Sequence, residues 1–221
     1  MADILLIHAP LILYYRGEEV LPTVGDEVSN YHMGLLYLAS YAEKQGASVK
    51  ILEVTASKLT WEDVRDSINE EKPVVIGITA TSASARSAVK LCREIRKNIQ
   101  DCPAICIGGA HVNSDPHFID RVAGFDFAVA GEGEKTFYDA YVKIKNGEKV
   151  ERILHGEAID NLDDIPFPAR HLVDLEIFQA EEKKIGWGPA PKPWATMLGS
   201  RGCPFKCTFC AIPVIKHKVR Y

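Results

Sequence analysis

The chain has 221 residues, of which 47% are hydrophobic and 25% are charged, a composition typical of a folded globular protein. Its apolar runs are far shorter than the roughly 20 residues of a membrane span, so we expect no transmembrane helix. The net charge of −4 argues against a non-specific nucleic-acid binder. The first residues lack the basic region of a secretory signal, which predicts a cytoplasmic protein whose six cysteines are reduced.

The first 150 residues alternate short apolar runs with amphipathic segments, which predicts a series of β–α units. The predicted strands cover residues 3–8, 48–54, 74–79, 104–107 and 125–130. The predicted helices begin near residues 33, 60, 83, 116 and 134. A long loop is expected from residue 9 to about residue 31, and the capping-box pattern from Thr60 to Asp63 marks one helix start.

Five such units with continuous Val- and Ile-rich strands predict an α/β fold with a doubly wound, five-stranded parallel sheet of the flavodoxin or Rossmann-like type. For this fold class we expect the strand order 2-1-3-4-5. Residues 1–150 are predicted to form this domain, and residues 151–193 a linker and irregular segment. Residues 150–154 are a candidate extra strand, and residues 194–198 are a further predicted strand that leads into a group of cysteines.

Small and flexible residues follow the third, fourth and fifth predicted strands. In a parallel sheet these loops share the carboxyl edge, where ligands bind. Hydroxyl groups follow the third strand, a Gly-Gly-Ala-His turn follows the fourth, and Gly-Glu-Gly-Glu opens the helix after the fifth. The alternative is that these glycines only make tight turns. The predicted cofactor-binding residues are Thr79, Thr81, Ser82, Gly108, Gly109, His111, Gly131, Glu132 and Gly133.

Three cysteines close to the C-terminal end have metal-ligand spacing. Cys203, Cys207 and Cys210 form a C-x3-C-x2-C pattern, which can bind three irons of a four-iron cluster and leave the fourth iron open. A zinc site would need a fourth ligand, for which His217 is the nearby candidate. After Glu182 the chain has eight basic residues and no acidic one, which we expect to be solvated surface or a counter-charge to a thiolate cluster.

These motifs together resemble those of radical SAM enzymes that carry a cobalamin (B12)-binding domain at their front. The shared features are the helix start Gly-Leu-Leu-Tyr-Leu-Ala at 34–39, the Gly-Gly-Ala-His turn at 108–111 and Gly-Glu-Gly-Glu at 131–134. The linker Leu-Asp-Asp-Ile-Pro-Phe-Pro at 162–168 and the cysteine spacing, with an aromatic residue before Cys210, complete the resemblance.

The resemblance implies that the loops of the first domain hold cobalamin. It also implies that Cys203, Cys207 and Cys210 hold a [4Fe-4S] cluster, whose open iron binds S-adenosylmethionine for radical methyl transfer or oxidative cyclisation. Residues 194–221 would then begin a radical SAM partial barrel, so we expect the front part of a longer enzyme that is inactive alone. The expected partners are a small-molecule substrate and an electron donor such as flavodoxin or ferredoxin. No catalytic residue is predicted.

One departure from the wider cobalamin family follows the first strand. Cobalamin mutases carry Asp-x-His-x-x-Gly there, whereas this chain reads His-Ala-Pro-Leu-Ile from His8, which we expect to be structural rather than a cobalt ligand.

Two alternative functions remain. A cobalamin-independent, methylthiotransferase-like enzyme would need three further ligating cysteines, but Cys92 and Cys106 have the pattern of core residues and Cys102 lies at a turn. A non-catalytic module that binds cobalamin or another planar ligand is the second.

Overall fold

The computed structural model describes residues 1–10, 31–181, 195–210 and 218–221, together with two short strands at 13–15 and 18–20. The strands are β1 (Ile4–His8), β2 (Leu13–Tyr15), β3 (Glu18–Val20), β4 (Val49–Glu53), β5 (Val75–Thr79), β6 (Ala104–Gly108), β7 (Phe127–Gly131) and β8 (Ile153–Gly156). The α-helices are α1 (Met33–Lys44), α2 (Trp61–Glu71), α3 (Ala85–Asn98), α4 (Ala110–Ser114), α5 (Glu134–Lys145) and α6 (Leu175–Glu181). Pro116–Arg121, Leu162–Asp164 and Arg170–Leu172 are short 3-10 helices. Most of the predicted loop 9–31, residues 182–193 of the predicted linker and irregular segment, Trp194 of the predicted strand 194–198 and His217 lie outside the described residues.

Six of the strands form one parallel sheet in the order β4-β1-β5-β6-β7-β8, and β2 pairs with β3 in an antiparallel ribbon. The first five strands of the sheet have the predicted 2-1-3-4-5 order, which confirms the doubly wound topology. The predicted five-stranded sheet is one strand short, because β8 adds a sixth parallel strand beside β7; β8 overlaps the candidate extra strand at residues 150–154. The predicted boundary at residue 150 falls just before this strand.

Both faces of the sheet are covered by helices, which explains why its central strands are apolar throughout. Along β1, Leu5 and Ile7 belong to the core under α2 and α3, while Ile4 and Leu6 belong to the core under α1 and α5. Cys92 and Cys106 are buried in these two cores, which confirms their predicted packing role. The alternation fixes the register, since a slip of one residue would reverse every side chain.

The register brings the last residues of four strands to one level. His8 at the end of β1 pairs with Glu53 on one side and with Thr79 on the other, and Thr79 pairs with Gly108. The loops that follow these strands therefore leave the sheet along one line. This line is the carboxyl edge at which the sequence predicted a ligand site.

The C-terminal residues differ from the expectation. Residues 195–200 form no strand, so the strand predicted over 194–198 is wrong for the described part of that range. The local order that does form is an isolated antiparallel bridge between Arg201 and Arg220. The described residues thus show no start of a barrel. Among the helices of the described ranges, none is long and apolar enough to cross a membrane.

The contact between β7 and β8 gives a testable prediction on stability. Gly131 has φ +101°, and a Cβ atom there would lie 2.5 Å from the Gly156 carbonyl oxygen, whereas Gly147 has φ +76° and open space around it. We expect Gly131→Ala to lower the free energy of unfolding by about 1–3 kcal/mol more than the matched Gly147→Ala, because only Gly131 adds a clash to the backbone strain. Urea denaturation measures the free energy of unfolding of both variants. Equal losses in the two variants would contradict the close approach of Gly131 to the Gly156 carbonyl oxygen.

Candidate functional site

A cavity of about 350 Å³ opens at the carboxyl edge of the sheet, on the face covered by α1 and α5. Its inner wall is apolar and includes Leu6, Val129 and Phe137, and its rim carries polar groups. Leu198 and Arg201 from the C-terminal residues also line it. A largely apolar cavity of this size with a few polar groups at one side is typical of a small-molecule or cofactor site.

Six of the nine predicted cofactor-binding residues line this cavity, and three do not. The six are Thr79, Gly108, Gly109, Gly131, Glu132 and Gly133. Thr81 instead closes the turn before α3 through reciprocal bonds with Ser84: the Thr81 amide donates to Ser84 Oγ (3.0 Å) and the Ser84 amide to Thr81 Oγ1 (3.3 Å). Ser82 Oγ lies 3.2 Å from His111 Nδ1, and both residues sit outside the cavity lining.

His111 turns its ring edge toward Phe118, with the ring centroids 4.4 Å apart. Its Nε2 atom is buried and has no hydrogen-bond partner among the described residues. The sequence placed His111 in the same loop as the paired glycines, whereas in the structure it is the second residue of α4, which begins directly after Gly109. Its side chain nevertheless packs against the 3-10 helix that follows α4 and does not face the cavity.

The paired glycines after β6 have different roles. Gly109 has φ +95°, and a Cβ atom there would lie 2.5 Å from Thr79 Oγ1 and 2.8 Å from the Ala80 carbonyl oxygen, so the turn excludes any larger residue. A Cβ atom at Gly108 would meet only the Val129 carbonyl oxygen at 3.5 Å. Gly109 therefore makes the turn possible, whereas Gly108 leaves open space at the cavity wall.

His32 is a polar cavity residue that the sequence analysis missed. It is the N-cap of α1: its Nδ1 accepts a hydrogen bond from the Leu35 amide (3.3 Å), and its Nε2 lies 3.3 Å from Thr79 Oγ1. Because Nδ1 accepts, the proton of the neutral ring is on Nε2, which donates to Thr79. Gly34 makes room for this ring, since a Cβ atom there would lie 3.0 Å from His32 Cε1. The Thr79 hydroxyl proton is then free to point elsewhere.

A buried carboxylate supports this arrangement from the neighbouring strand. Glu53 lies 2.7 Å from His8 Nδ1 and accepts the backbone amide of His32 (3.2 Å). The rings of His8 and His32 meet edge to face with centroids 5.0 Å apart. Burial and the neighbouring His8 lower the pKa of His32 to about 4, against the opposing charge of Glu53. The His32 ring is therefore neutral at physiological pH and acts as a hydrogen-bond donor.

The two carboxylates of the Gly-Glu-Gly-Glu turn contact arginines of the C-terminal residues. Arg201 Nη2 lies 2.6 Å from Glu134 Oε1, and Arg220 Nη1 lies 3.0 Å from Glu132 Oε2. Burial alone would raise the pKa of Glu132, but hydrogen bonds from Arg220 and the Ile159 amide and the charge of Arg201 hold it below its usual value. Neither arginine was singled out by sequence as a site residue.

The three predicted cluster ligands are not brought together in this structure. Cys207 is exposed, and Cys203 and Cys210 are half-buried. The Cys210 amide donates to the Cys207 carbonyl oxygen at 3.1 Å, which makes a local turn. Within the described residues, no group of three His, Cys, Asp or Glu side chains is arranged to hold a metal ion.

The other three cysteines also form no such group in the described ranges. Burial raises the pKa of Cys92 to about 12 and also raises the pKa of Cys106. Buried, protonated thiols are poor metal ligands and poor nucleophiles. This weighs against the methylthiotransferase-like alternative, which needs a second set of cluster ligands in the first domain.

Comparison with known proteins identifies the family. The model of the B12 binding domain matches residues 24–140, which is more than half of the chain. The chain therefore belongs to the B12-binding domain family. The matched range contains His32, Thr79 and the two glycine turns, and so most of the cavity described above.

The similar proteins are enzymes by their names. An uncharacterized methyltransferase from Pyrococcus horikoshii is 31% identical over 194 residues, which are 81% of this chain and 40% of that protein. An anaerobic magnesium-protoporphyrin IX monomethyl ester cyclase from Rubrivivax gelatinosus is 25% identical over 206 residues, 82% of this chain and 37% of that protein. The chain thus spans about two fifths of the length of these relatives.

A solved structure shares the fold. The cobalamin-dependent S-adenosylmethionine radical enzyme OxsB, with aqua-cobalamin and S-adenosylmethionine bound, superposes with a TM-score of 0.67 at 18% identity. The match covers 95% of this chain and 28% of that chain. At this identity the likeness shows a common fold.

The low pKa of His32 predicts a loss of stability in acid. Between pH 6.5 and 4 the unfolded chain binds a proton at this ring and the folded protein does not, so stability falls as the pH falls through this window. At pH 5 we expect a loss of about 2 kcal/mol relative to pH 7.5, measured by urea denaturation. His32→Asn keeps an oxygen that can cap α1, and its free energy of unfolding should not show this fall of about 2 kcal/mol between pH 7.5 and pH 5. His117→Asn removes an exposed histidine and should show the same fall as wild type. Parallel curves for all three proteins would refute the assignment.

Proposed function

We propose that this chain is the cobalamin-binding portion of a radical SAM enzyme that catalyses methyl transfer or oxidative cyclisation on a small-molecule substrate. The observation that carries the proposal is the cavity at the carboxyl edge. Most of its lining residues lie in the range matched by the B12 binding domain, and they include glycines with positive φ that a larger residue could not replace. The names of the similar methyltransferase and cyclase support the reaction class.

The residues of the cavity fit a large cofactor with an apolar part and polar substituents. Leu6, Val129 and Phe137 offer an apolar wall, and the open face of Gly108 permits close approach of a ligand to the backbone. Thr79, oriented by neutral His32, would offer its hydroxyl proton to an acceptor on the ligand. Bound cobalamin would supply a cobalt that carries a methyl group, while the chain itself binds, orients and excludes water.

The cysteine motif supports the radical SAM part of the proposal through its donor set. Three thiols at this spacing are suited to a [4Fe-4S] cluster with one open iron for S-adenosylmethionine. An electron donor such as flavodoxin or ferredoxin would reduce such a cluster. Since the thiols do not converge in this structure, this part rests on ligand type and spacing. The chain spans about two fifths of the length of its relatives, so the radical SAM part of the proposal concerns a protein of the relatives' length.

The cobalamin site can be tested by anaerobic titration of the chain with hydroxocobalamin, followed by absorbance. We expect saturable binding that Gly108→Leu weakens at least about tenfold, because the new side chain fills the cavity without a positive-φ penalty at that position. Ala123→Leu places the same side chain at an exposed position outside the cavity and should bind as wild type. Binding that is unchanged in Gly108→Leu would place cobalamin elsewhere, and no binding to wild type would contradict the proposal.

The cluster can be tested by anaerobic reconstitution with iron and sulfide. We expect about four irons per chain and thiolate-to-iron charge-transfer absorbance, both lost in Cys207→Ser and both kept in Cys102→Ser. Zinc retained by the purified chain, with no iron cluster after reconstitution, would favour the zinc site instead. Cobalamin binding without any cluster would favour the non-catalytic binding module.

A further inference from the structure

The Gly-Glu-Gly-Glu turn holds two guanidinium groups in a buried cluster of four charges. Arg201 bonds to Glu134 at 2.6 Å and lies 3.5 Å from Glu132. Arg220 reaches both oxygens of Glu132, one of them at 3.0 Å. This two-pronged contact is the geometry in which arginine binds a carboxylate most strongly.

Three of the four charged groups in this cluster, those of Glu132, Arg201 and Arg220, have further partners. Arg220 Nη1 donates to the Ile159 carbonyl oxygen (2.5 Å), and the Ile159 amide donates back to Glu132 Oε2 (2.9 Å). The Arg201 guanidinium lies over the ring of Tyr37, 4.9 Å from its centroid. The backbones of Arg201 and Arg220 exchange two hydrogen bonds of 2.9 Å, so the two arginines are also tied to each other.

Burial separates this cluster from an ordinary surface ion pair. The side chains of Glu132, Glu134, Arg201 and Arg220 are 10%, 6%, 15% and 6% exposed. The pair Lys135–Asp139, on the same helix α5, has side chains that are 72% and 50% exposed. Two buried carboxylates balance two buried guanidinium groups, and removal of one carboxylate leaves a buried positive charge without its partner.

The two arginines of the cluster flank the three cysteines in the sequence. Cys203, Cys207 and Cys210 all lie between Arg201 and Arg220 in the sequence, so both ends of the cysteine-bearing stretch are fixed at the turn after β7. Arg201 also lines the cavity. Both ends of the cysteine-bearing stretch are therefore held at a turn that borders the cavity.

We infer that Glu132 and Glu134 are positioning residues, a two-carboxylate receptor for Arg201 and Arg220 that fixes the cysteine-bearing stretch at the cavity. This inference rests on the proposed function only for the identity of the ligand in the cavity. It assigns the glutamate side chains a task that does not involve ligand contact. The receptor places two separate parts of the chain, the sheet edge and the cysteines, beside one cavity.

Hydrogen–deuterium exchange tests the receptor directly in the full chain. The amides of Arg201 and Arg220 bond to each other's carbonyl groups, so their exchange reports whether the two ends are seated. We expect the double variant Glu132→Gln/Glu134→Gln to raise exchange at both amides at least about tenfold. Asp139→Asn, which breaks the exposed pair on α5, should leave both rates unchanged.

Two internal references separate release of this stretch from unfolding. The Thr196 amide donates to the Tyr31 hydroxyl at 2.8 Å, independently of either glutamate, and Ile107 lies in the buried sheet. Both should keep their wild-type exchange in the double variant. Unchanged exchange at the Arg201 and Arg220 amides would overturn the inference. An equal rise in exchange at the Ile107 amide would also overturn it, because it would indicate unfolding of the sheet.

A second readout connects the receptor to the cavity. Because Arg201 lines the cavity, the double variant should release bound hydroxocobalamin at least about tenfold faster than wild type, and Asp139→Asn should not. Equal release rates would limit the receptor to a structural tether and overturn its link to the ligand. If wild type binds no hydroxocobalamin, the proposed function fails, while the exchange experiment still decides whether the receptor exists.

Discussion

The parallel register of the sheet is the constraint on which the other features depend. It places Glu53, His8, Thr79 and Gly108 in one row across β4, β1, β5 and β6. Each strand ends in that row, so every loop begins at the same level and polar side chains from distant parts of the sequence meet there. Glu53 reaches His8 because they are register partners, and His32 reaches Thr79 because α1 begins above the same row.

The fold was largely predictable because its signals are local. Continuous apolar strands fix burial on both faces, and glycines or caps mark where helices begin and end, as at Thr60, whose side chain accepts the Asp63 amide. The sixth strand was harder to predict, because β8 is a four-residue edge strand whose residues are half-buried or exposed. The strand expected at 194–198 shows the opposite error: an apolar pattern favours a strand, but a strand must also join a sheet, and residues 195–198 belong to neither sheet of the described structure.

Some residues of the site are recognisable from their immediate sequence, and others depend on contacts between distant parts of the chain. Glycines and hydroxyl residues at strand ends are recognisable in the sequence, and six of the nine residues predicted from these loops line the cavity. His32 could not be found so, because its partner Thr79 is 47 residues away, and Arg220 contacts Glu132 across 88 residues. One sequence signal did bear on the arginines. Eight basic residues without an acidic one after Glu182 leave positive charge that must meet solvent or carboxylates elsewhere, and two of them meet the Gly-Glu-Gly-Glu turn.

The energetics of buried ion pairs explain why the contact between the two glutamates and the two arginines fixes the position of the C-terminal residues more than it stabilises the fold. Moving four charges out of water costs about as much as their mutual attraction returns, so apolar residues of similar size would stabilise the chain as well or better. Apolar contacts, however, tolerate many orientations, whereas a guanidinium fork fits a carboxylate in few. Burial would raise the pKa of Glu132, but hydrogen bonds from Arg220 and the Ile159 amide and the charge of Arg201 outweigh this effect and lower the pKa, so the carboxylate and the C-terminal residues depend on each other. A cavity wall held in this way has one defined position, and a ligand bound against it would be held in one orientation.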